Sequence, residues 1–247
     1  VAADRRTEVL MSMEVLKDRS QIRRARGELK RLGLSQVPTF LDRLTMSLRG
    51  EDRLRIGDRI KSWDVLRTVE FIKRAVARAE PILDIGCYAS EMLPALYDAG
   101  YRNLSGVDLN PRIDRMPHAD SIRYEIGDFM RTPFAAGSFK AITAISVIEH
   151  GFDRERLLTE MARLLEPGAH FIASFDYWPD KIDTTGVRFF DLDWMIFSRR
   201  EVDDFVAAAA RHGLRPIGAM DGDAAERVVK TGGREYTFAW LVLEKSR

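Results

Sequence analysis

With 247 residues, 45% hydrophobic and 31% charged, the chain can bury one substantial core and has the composition of an ordinary globular protein. No apolar run approaches the ~20 residues that span a bilayer, the opening VAADRRTEVLMSME carries no visible secretory signal, and the single Cys87 excludes an internal disulfide. The formal net charge is only +1, but residues 1–80 hold 19 Lys/Arg against 12 Asp/Glu and the remainder 20 against 26.

A cytoplasmic address with no membrane partner is therefore expected, and no Cys/His spacing calls for a structural metal. The basic first third leaves two readings open, a solvated helix face with alternating charges or an anion-binding arm.

In chain order, residues 3–32 carry Val9, Leu10, Met13, Val15, Leu16, Ile22, Leu29 and Leu32 among charges, which predicts one long amphipathic helix ending before Gly33. After Pro38, residues 40–48 predict a second helix ending at Gly50, and Trp63 to Ala79 a third. From Pro81 onward short apolar runs alternate with helical segments, the pattern of a doubly wound α/β sheet covered on both faces. The predicted strands are 82–86, 104–108, 122–126, 141–147, 170–175, 215–220 and 236–244, and the helices 91–99, 153–165 and 199–212. Seven strands of a mostly parallel sheet result, with residues 1–79 as a helical extension and 80–247 as the ligand-binding domain.

Three successive strand ends carry the chemistry. Asp84-Ile85-Gly86 before a turn and helix sets backbone N–H groups at the sheet's carboxyl edge, where nucleotide-like ligands bind. Asp108, ending the next strand, is placed to accept from both hydroxyls of a ribose. Gly127-Asp128-Phe129, after the third, offers an acceptor and a ring edge to an adenine. Singly, each has a plainer reading: Asp84 and Asp108 as helix caps, Asp128 as a turn residue. Their order and spacing favour the ligand reading.

These residues resemble the class I S-adenosylmethionine-dependent methyltransferases, in particular their broad small-molecule type 11 branch, over about residues 80–245. ILDIGCYAS is similar to that family's first motif and GVDLNP to its second. IGDFMRTPFAAGSFKAITAISVIEH looks like its adenine-binding and fourth-strand motifs, LLEPGAHFIASF like its turn into strand five, and IFSRREVDDFVAAAARHGL like the helix before strand six. The resemblance implies a Rossmann-like methyltransferase fold and S-adenosylmethionine as cofactor. It sets Asp84, Gly86, Cys87 and Tyr88 near the cofactor's amino-acid part, Asp108 and Leu109 at the ribose, Gly127, Asp128 and Phe129 at the adenine, and Ser146 and Val147 along the fourth strand. One departure stands out: the usual glycine-rich turn has Tyr88 and Ser90 where its second and third glycines belong.

Methyl transfer from a sulfonium needs mainly an aligned acceptor, and a hydroxyl acceptor also needs a base. His150 and Asp176, just past the fourth and fifth strands, are the catalytic candidates, each with an alternative as a packing or loop residue. The aromatic stretch 175–197 is the expected substrate loop, with Tyr177, Trp178, Phe189 and Phe190 as pocket walls, or alternatively as cover for the sheet edge. Asp183, Asp191 and Asp193 lie in it, but their spacing assigns no metal. Lys61 and Trp63 are lid candidates, with Trp63 also fitting a helix core. The expected acceptor is a small molecule or glycan, methylated at oxygen or nitrogen, with nucleic acid disfavoured and a homodimer open to the N-terminal helices. The competing readings are an RNA methyltransferase, a catalytically silent cofactor-binding module and a nicotinamide-dependent oxidoreductase, the last lacking G-x-G-x-x-G.

Overall fold

The computed structural model describes residues 10–38, 54–189 and 191–247. The second predicted helix, over 40–48, and Phe190 lie outside these residues.

Strand β1 (Met11–Val15) opens the described chain, followed by α1 (Arg19–Arg31), α2 (Ser62–Ala75), β2 (Ile82–Ile85), α3 (Met92–Asp98), β3 (Leu104–Asp108), β4 (Arg123–Ile126) and β5 (Phe139–Ile145). Then come α4 (Arg154–Leu164), β6 (Leu165–Tyr177), the small pair β7 (Arg188–Phe189) and β8 (Leu192–Asp193), and α5 (Arg199–Arg211). Short strands β9 (Leu214–Pro216), β10 (Ala219–Met220) and β11 (Val229–Thr231) precede the long β12 (Arg234–Lys245).

The main sheet runs β10-β1-β12-β6-β5-β2-β3-β4. Strands β4, β3, β2, β5 and β6 are parallel, and β12 lies antiparallel to β6 with Ala239 opposite Phe175. All four residues of β2 are buried, as expected of a strand covered on both faces. One apolar core lies under α1, α2 and α3 and includes Leu29, Ile72 and Leu96; the other lies under α4 and α5 and includes Leu158 and Phe205. This doubly wound sheet is the expected architecture.

The N-terminal segment departs from expectation. Met11–Val15 is a strand, not the first turns of a long helix, and the helix starts only at Arg19, capped by Asp18 accepting from Ser20 N at 2.6 Å and Gln21 N at 3.0 Å. Met13 and Val15 alternate with Ser12 and Glu14, a period of two, and β12 presents an open edge that this stretch fills antiparallel. Its insertion divides the predicted sixth strand: β9 stays on β12, whereas β10 pairs with the far side of β1. Gly218 makes room between them, since a Cβ there would lie 1.9 Å from the Leu10 carbonyl oxygen.

At the other predicted boundaries the local signals hold. Ser198 and Glu201 form a reciprocal capping box at the start of α5, and Gly213 follows its end at φ +78°. The turn expected at Pro167-Gly168 is instead absorbed within β6, at a register irregularity against β5.

Candidate active site

Strand order reverses between β2 and β5, so the crevice at their carboxyl ends is where an open α/β sheet binds ligands. Gly86 turns the chain there at φ +66°, with its N–H on the Val107 carbonyl at 2.9 Å. A Cβ at Gly86 would lie 2.5 Å from the Val147 side chain, so the two sides of the crevice meet closely at this glycine. The replaced glycines cost little, because after Gly86 the left-handed residue in the turn is Ala89 (φ +61°), while Tyr88 and Ser90 lie outside that region. Tyr88 packs its ring against the core under α1 to α3, and the Ser90 hydroxyl accepts from Met92 N at 3.1 Å.

Asp108 is held from two sides. Tyr88 N donates to Oδ2 at 3.0 Å and Asn110 N to Oδ1 at 2.8 Å, which fixes the carboxylate at the end of β3 while each oxygen keeps a lone pair. The cap of the following 3-10 turn at Pro111–Arg115 is Asn110, so Asp108 does not serve as the helix cap of its plainer reading. Beside it, Leu109 is 63% exposed and Ile126, ending β4, is 61% exposed. Ile126 was not among the expected residues; its signal in the sequence was an isoleucine immediately before Gly127-Asp128, at a strand end that faces solvent. Gly127 N donates to the Asp108 carbonyl at 2.9 Å, tying the third strand end to the second.

Other expected cofactor residues have structural duties. Asp84 is buried beneath the turn and accepts from the Thr143 hydroxyl at 2.6 Å; burial pushes its carboxyl up to about 7. Cys87 is fully buried with its thiol raised by burial, and its Sγ would lie 2.6 Å from a Cβ on Gly106. Asp128 accepts from Met130 N at 2.8 Å and from Arg156 at 2.9 Å, and Phe129 packs against the core under α4 and α5. Ser146, at φ +59°, donates its hydroxyl to Glu149, and the Val147 side chain is buried.

The N-terminal segment closes on the outside of this turn. Arg26 of α1, itself buried, contacts Glu91 Oε1 at 2.7 Å and Oε2 at 3.1 Å, together with Ser62 Oγ at 2.8 Å. Glu91 also accepts from Gln36 N at 3.2 Å, and Gly57 N donates to the Ala89 carbonyl at 2.8 Å. Residues 26–38 and 54–62 thus clasp the 86–91 turn.

Next to the crevice, at the carboxyl ends of β5 and β6, the chain gathers a second group. Asp176 is buried, with Trp194 Nε1 donating to its Oδ2 at 2.8 Å; burial and the neighbouring Glu149 raise its carboxyl to about 7. Lys61 Nζ stands 3.8 Å from Asp176 Oδ1 and 3.7 Å from Oδ2 of Asp64, on the first turn of α2. Asp64 accepts from the Ser174 hydroxyl at 2.9 Å and is raised by burial to about 6, and Glu149 is shifted the same way by burial. Burial lowers the basicity of His150, partly opposed by Asp176. The two expected catalytic residues are therefore brought together, and Asp64 and Glu149, which no spacing in the sequence linked to them, complete the group.

The expected aromatic wall is only partly a wall. Tyr177 is fully buried, with its hydroxyl on the Gly222 carbonyl at 2.7 Å, and Trp63 is buried in the core; both are corrected from pocket lining to core packing. Trp178 is partly buried under the Arg227 guanidinium, 4.4 Å from the ring centre, and Phe189 meets Trp194 edge to face. A cavity of about 340 Å³ opens in this loop, lined by Lys181, Asp183, Thr185, Val187, Asp193 and Trp194 among others.

Residues 83–173, which hold the crevice, match the family model described as a methyltransferase domain. By that match the chain contains a methyltransferase domain over these residues. Among curated proteins it is similar to the 27-O-demethylrifamycin SV methyltransferase of Amycolatopsis mediterranei, 25% identical over 72% of this chain and 62% of that one. An O-methyltransferase of Penicillium expansum is 26% identical over 41% of this chain and 40% of its own length. The chain thus spans less than two thirds of these relatives.

Among solved structures, a geranyl diphosphate C-methyltransferase from Streptomyces coelicolor, complexed with Mg2+, geranyl diphosphate and S-adenosyl-L-homocysteine, has a TM-score of 0.55 at 18% identity over 72% of this chain and 78% of that one. A cyclase of the 4+2 type reaches a TM-score of 0.58 at 13% identity over 96% and 99%. These likenesses establish the methyltransferase fold, a fold that also carries other chemistry. Among the described residues no helix is long and apolar enough to cross a membrane.

Proposed function

We propose that this protein methylates a small-molecule or glycan acceptor, at oxygen or nitrogen, with S-adenosylmethionine as donor. The observation that carries the reading is the Asp108 carboxylate, pinned by the Tyr88 and Asn110 amides at the crevice where strand order reverses. Its remaining lone pairs suit the two hydroxyls of a ribose, and the exposed Leu109 and Ile126 side chains offer apolar surface to a purine. When bound, S-adenosylmethionine supplies a methyl group on a positively charged sulfur. The chain's own part is to hold the acceptor in line and to manage its proton. Asp176 and His150 are placed for the latter, Asp176 with a carboxyl near neutrality and His150 shifted toward its neutral form. Residues 10–38 and 54–61 serve as the cover over the 86–91 turn, and the loop after β6 as the acceptor side.

The RNA reading is less well supported, because several cations of the basic first third are engaged within the chain: Arg26 by Glu91, Arg67 by Glu14 and Lys17 by Asp221. Titration calorimetry with S-adenosylhomocysteine, run beside NADH and NADPH, tests the cofactor. Micromolar binding of the first alone, about −8 kcal/mol, is the expected result, and binding of a nicotinamide instead would overturn it.

A further inference from the structure

Three carboxylates at the carboxyl edge of β5 and β6 share one cation. Glu149 feels the charge of Asp64, Asp64 that of Asp176, and Asp176 that of Glu149, while Lys61 acts favourably on all three. Asp64 and Glu149 have no exposure and Asp176 has 4%. With every group ionised, three negative charges face a single positive one, an excess that a dry site does not hold without a further cation or bound protons.

A second observation points to a missing donor. Asp64 Oδ1 and Glu149 Oε2 are buried and accept no hydrogen bond from the described residues, and Lys61 Nζ, the one cation shared among the three carboxylates, donates none, although the great majority of buried polar groups are paired. The surroundings suit an ammonium. Lys61 Nζ stands 3.3 Å from the centre of the Phe238 ring, and Trp194, Tyr236 and Phe238 follow one another edge to face beside Asp176. Aromatic faces combined with carboxylates are how proteins hold organic cations. Trp194, which donates to Asp176, is also a wall of the 340 Å³ cavity in the loop after β6 and so stands between that cavity and the group.

We propose that Asp64, Glu149 and Asp176, walled by Trp194, Tyr236 and Phe238, form the subsite for a protonated amine, so that the acceptor is an amine taken up as its ammonium. This rests on the methyl-transfer reading above and names its acceptor class. The ammonium donates to the two unpaired carboxylate oxygens and restores charge balance around Lys61. One carboxylate of the group then takes a proton from it, leaving a neutral amine and a carboxylic acid. The amine lone pair forms the new nitrogen–carbon bond as the methyl's bond to sulfur breaks, and the sulfur keeps that electron pair. Asp64, on α2, is the specificity-determining member, since it alone brings a carboxylate from the segment that precedes the 83–173 methyltransferase match.

The test is titration calorimetry on the full chain saturated with S-adenosylhomocysteine, using benzylamine and its neutral isostere benzyl alcohol at pH 7.5, each in phosphate and in Tris. Benzylamine is expected to bind at least tenfold more tightly than the alcohol. Its apparent enthalpy is expected to differ between the buffers, because binding the cation drives protons off the group. Asp64→Asn and Glu149→Gln should each weaken benzylamine at least tenfold and leave S-adenosylhomocysteine binding unchanged, which also verifies that the variants fold. Equal binding of amine and alcohol, no amine binding at millimolar concentration, or unchanged amine affinity in both variants overturns the subsite while leaving the cofactor reading intact. Failure of S-adenosylhomocysteine to bind the unmodified chain overturns both.

Discussion

Asp108 combines two roles that a single substitution separates from the rest of the crevice. It organises the Tyr88 and Asn110 amides and, in the proposed function, accepts from the ribose. Hydrogen bonds to a charged acceptor contribute about 1.5–3 kcal/mol each, so Asp108→Ala, which removes two, should weaken S-adenosylhomocysteine by about 100-fold or more in calorimetry. An unchanged dissociation constant would remove the ribose assignment. Tyr88 shows how a departure from a motif can be benign: the left-handed backbone falls one residue later, at Ala89, and the tyrosine contributes through its amide and its packing. Asp84 lies beneath the 86–91 turn, buried, with its Oδ1 accepting from the Thr143 hydroxyl.

Among the elements, α1 is tied most directly to the site. Its Arg26 neutralises Glu91 at the start of α3, with both side chains buried. Removing one partner of a buried pair leaves an uncompensated charge and costs about 3–5 kcal/mol, whereas replacing both by apolar groups is often close to neutral. Arg26→Met should therefore lower the melting temperature markedly and weaken S-adenosylhomocysteine, and adding Glu91→Leu should recover most of the stability. If calorimetric scans find the double variant as unstable as the single one, the pair is not what joins helix to turn. Strand β1 binds the same segment from its other end. Ser12 donates to the Val242 carbonyl and accepts from Ile217 N at 3.1 Å, stitching β1 into the split between β9 and β10. Residues N-terminal to the methyltransferase motifs are thus part of the sheet and of the cover over the turn.

Across the whole molecule, buried acids set the pH response. Asp84 and Asp176 titrate near 7 and Asp64 near 6, against ordinary values near 4 in the unfolded chain, and burial is the leading cause in each. Between about pH 4 and pH 7 the folded state therefore holds more protons than the unfolded one, and its stability falls as pH rises through that window. Melting temperature is expected to decline from pH 5 to pH 8, and Asp64→Asn should flatten the profile and melt higher than the unmodified chain at pH 8. A profile for Asp64→Asn that parallels the unmodified chain would show that Asp64 is ionised throughout.

By itself the sequence determined the α/β class and the chain order of β2 to β6 and of β12. Those signals are local: a strand end, a turn and a helix cap are written within a few neighbouring residues, as at Asp84 to Gly86 or Ser198 to Glu201. It left Met11–Val15 ambiguous, because a five-residue alternation inside a longer amphipathic pattern becomes a strand only when an open edge such as that of β12 is there to pair with it. Tyr177 likewise read as a pocket aromatic until packing buried it, and of the two readings open for Trp63, lid or helix core, packing decided for the core. The gathering of Lys61, Asp64, Glu149 and Asp176 was decided by tertiary structure alone. They come from α2 and its preceding turn, the segment after β5, and β6, and only the stacking of that helix on the sheet brings charges so distant in the chain within 4 Å of one lysine or within range of one another.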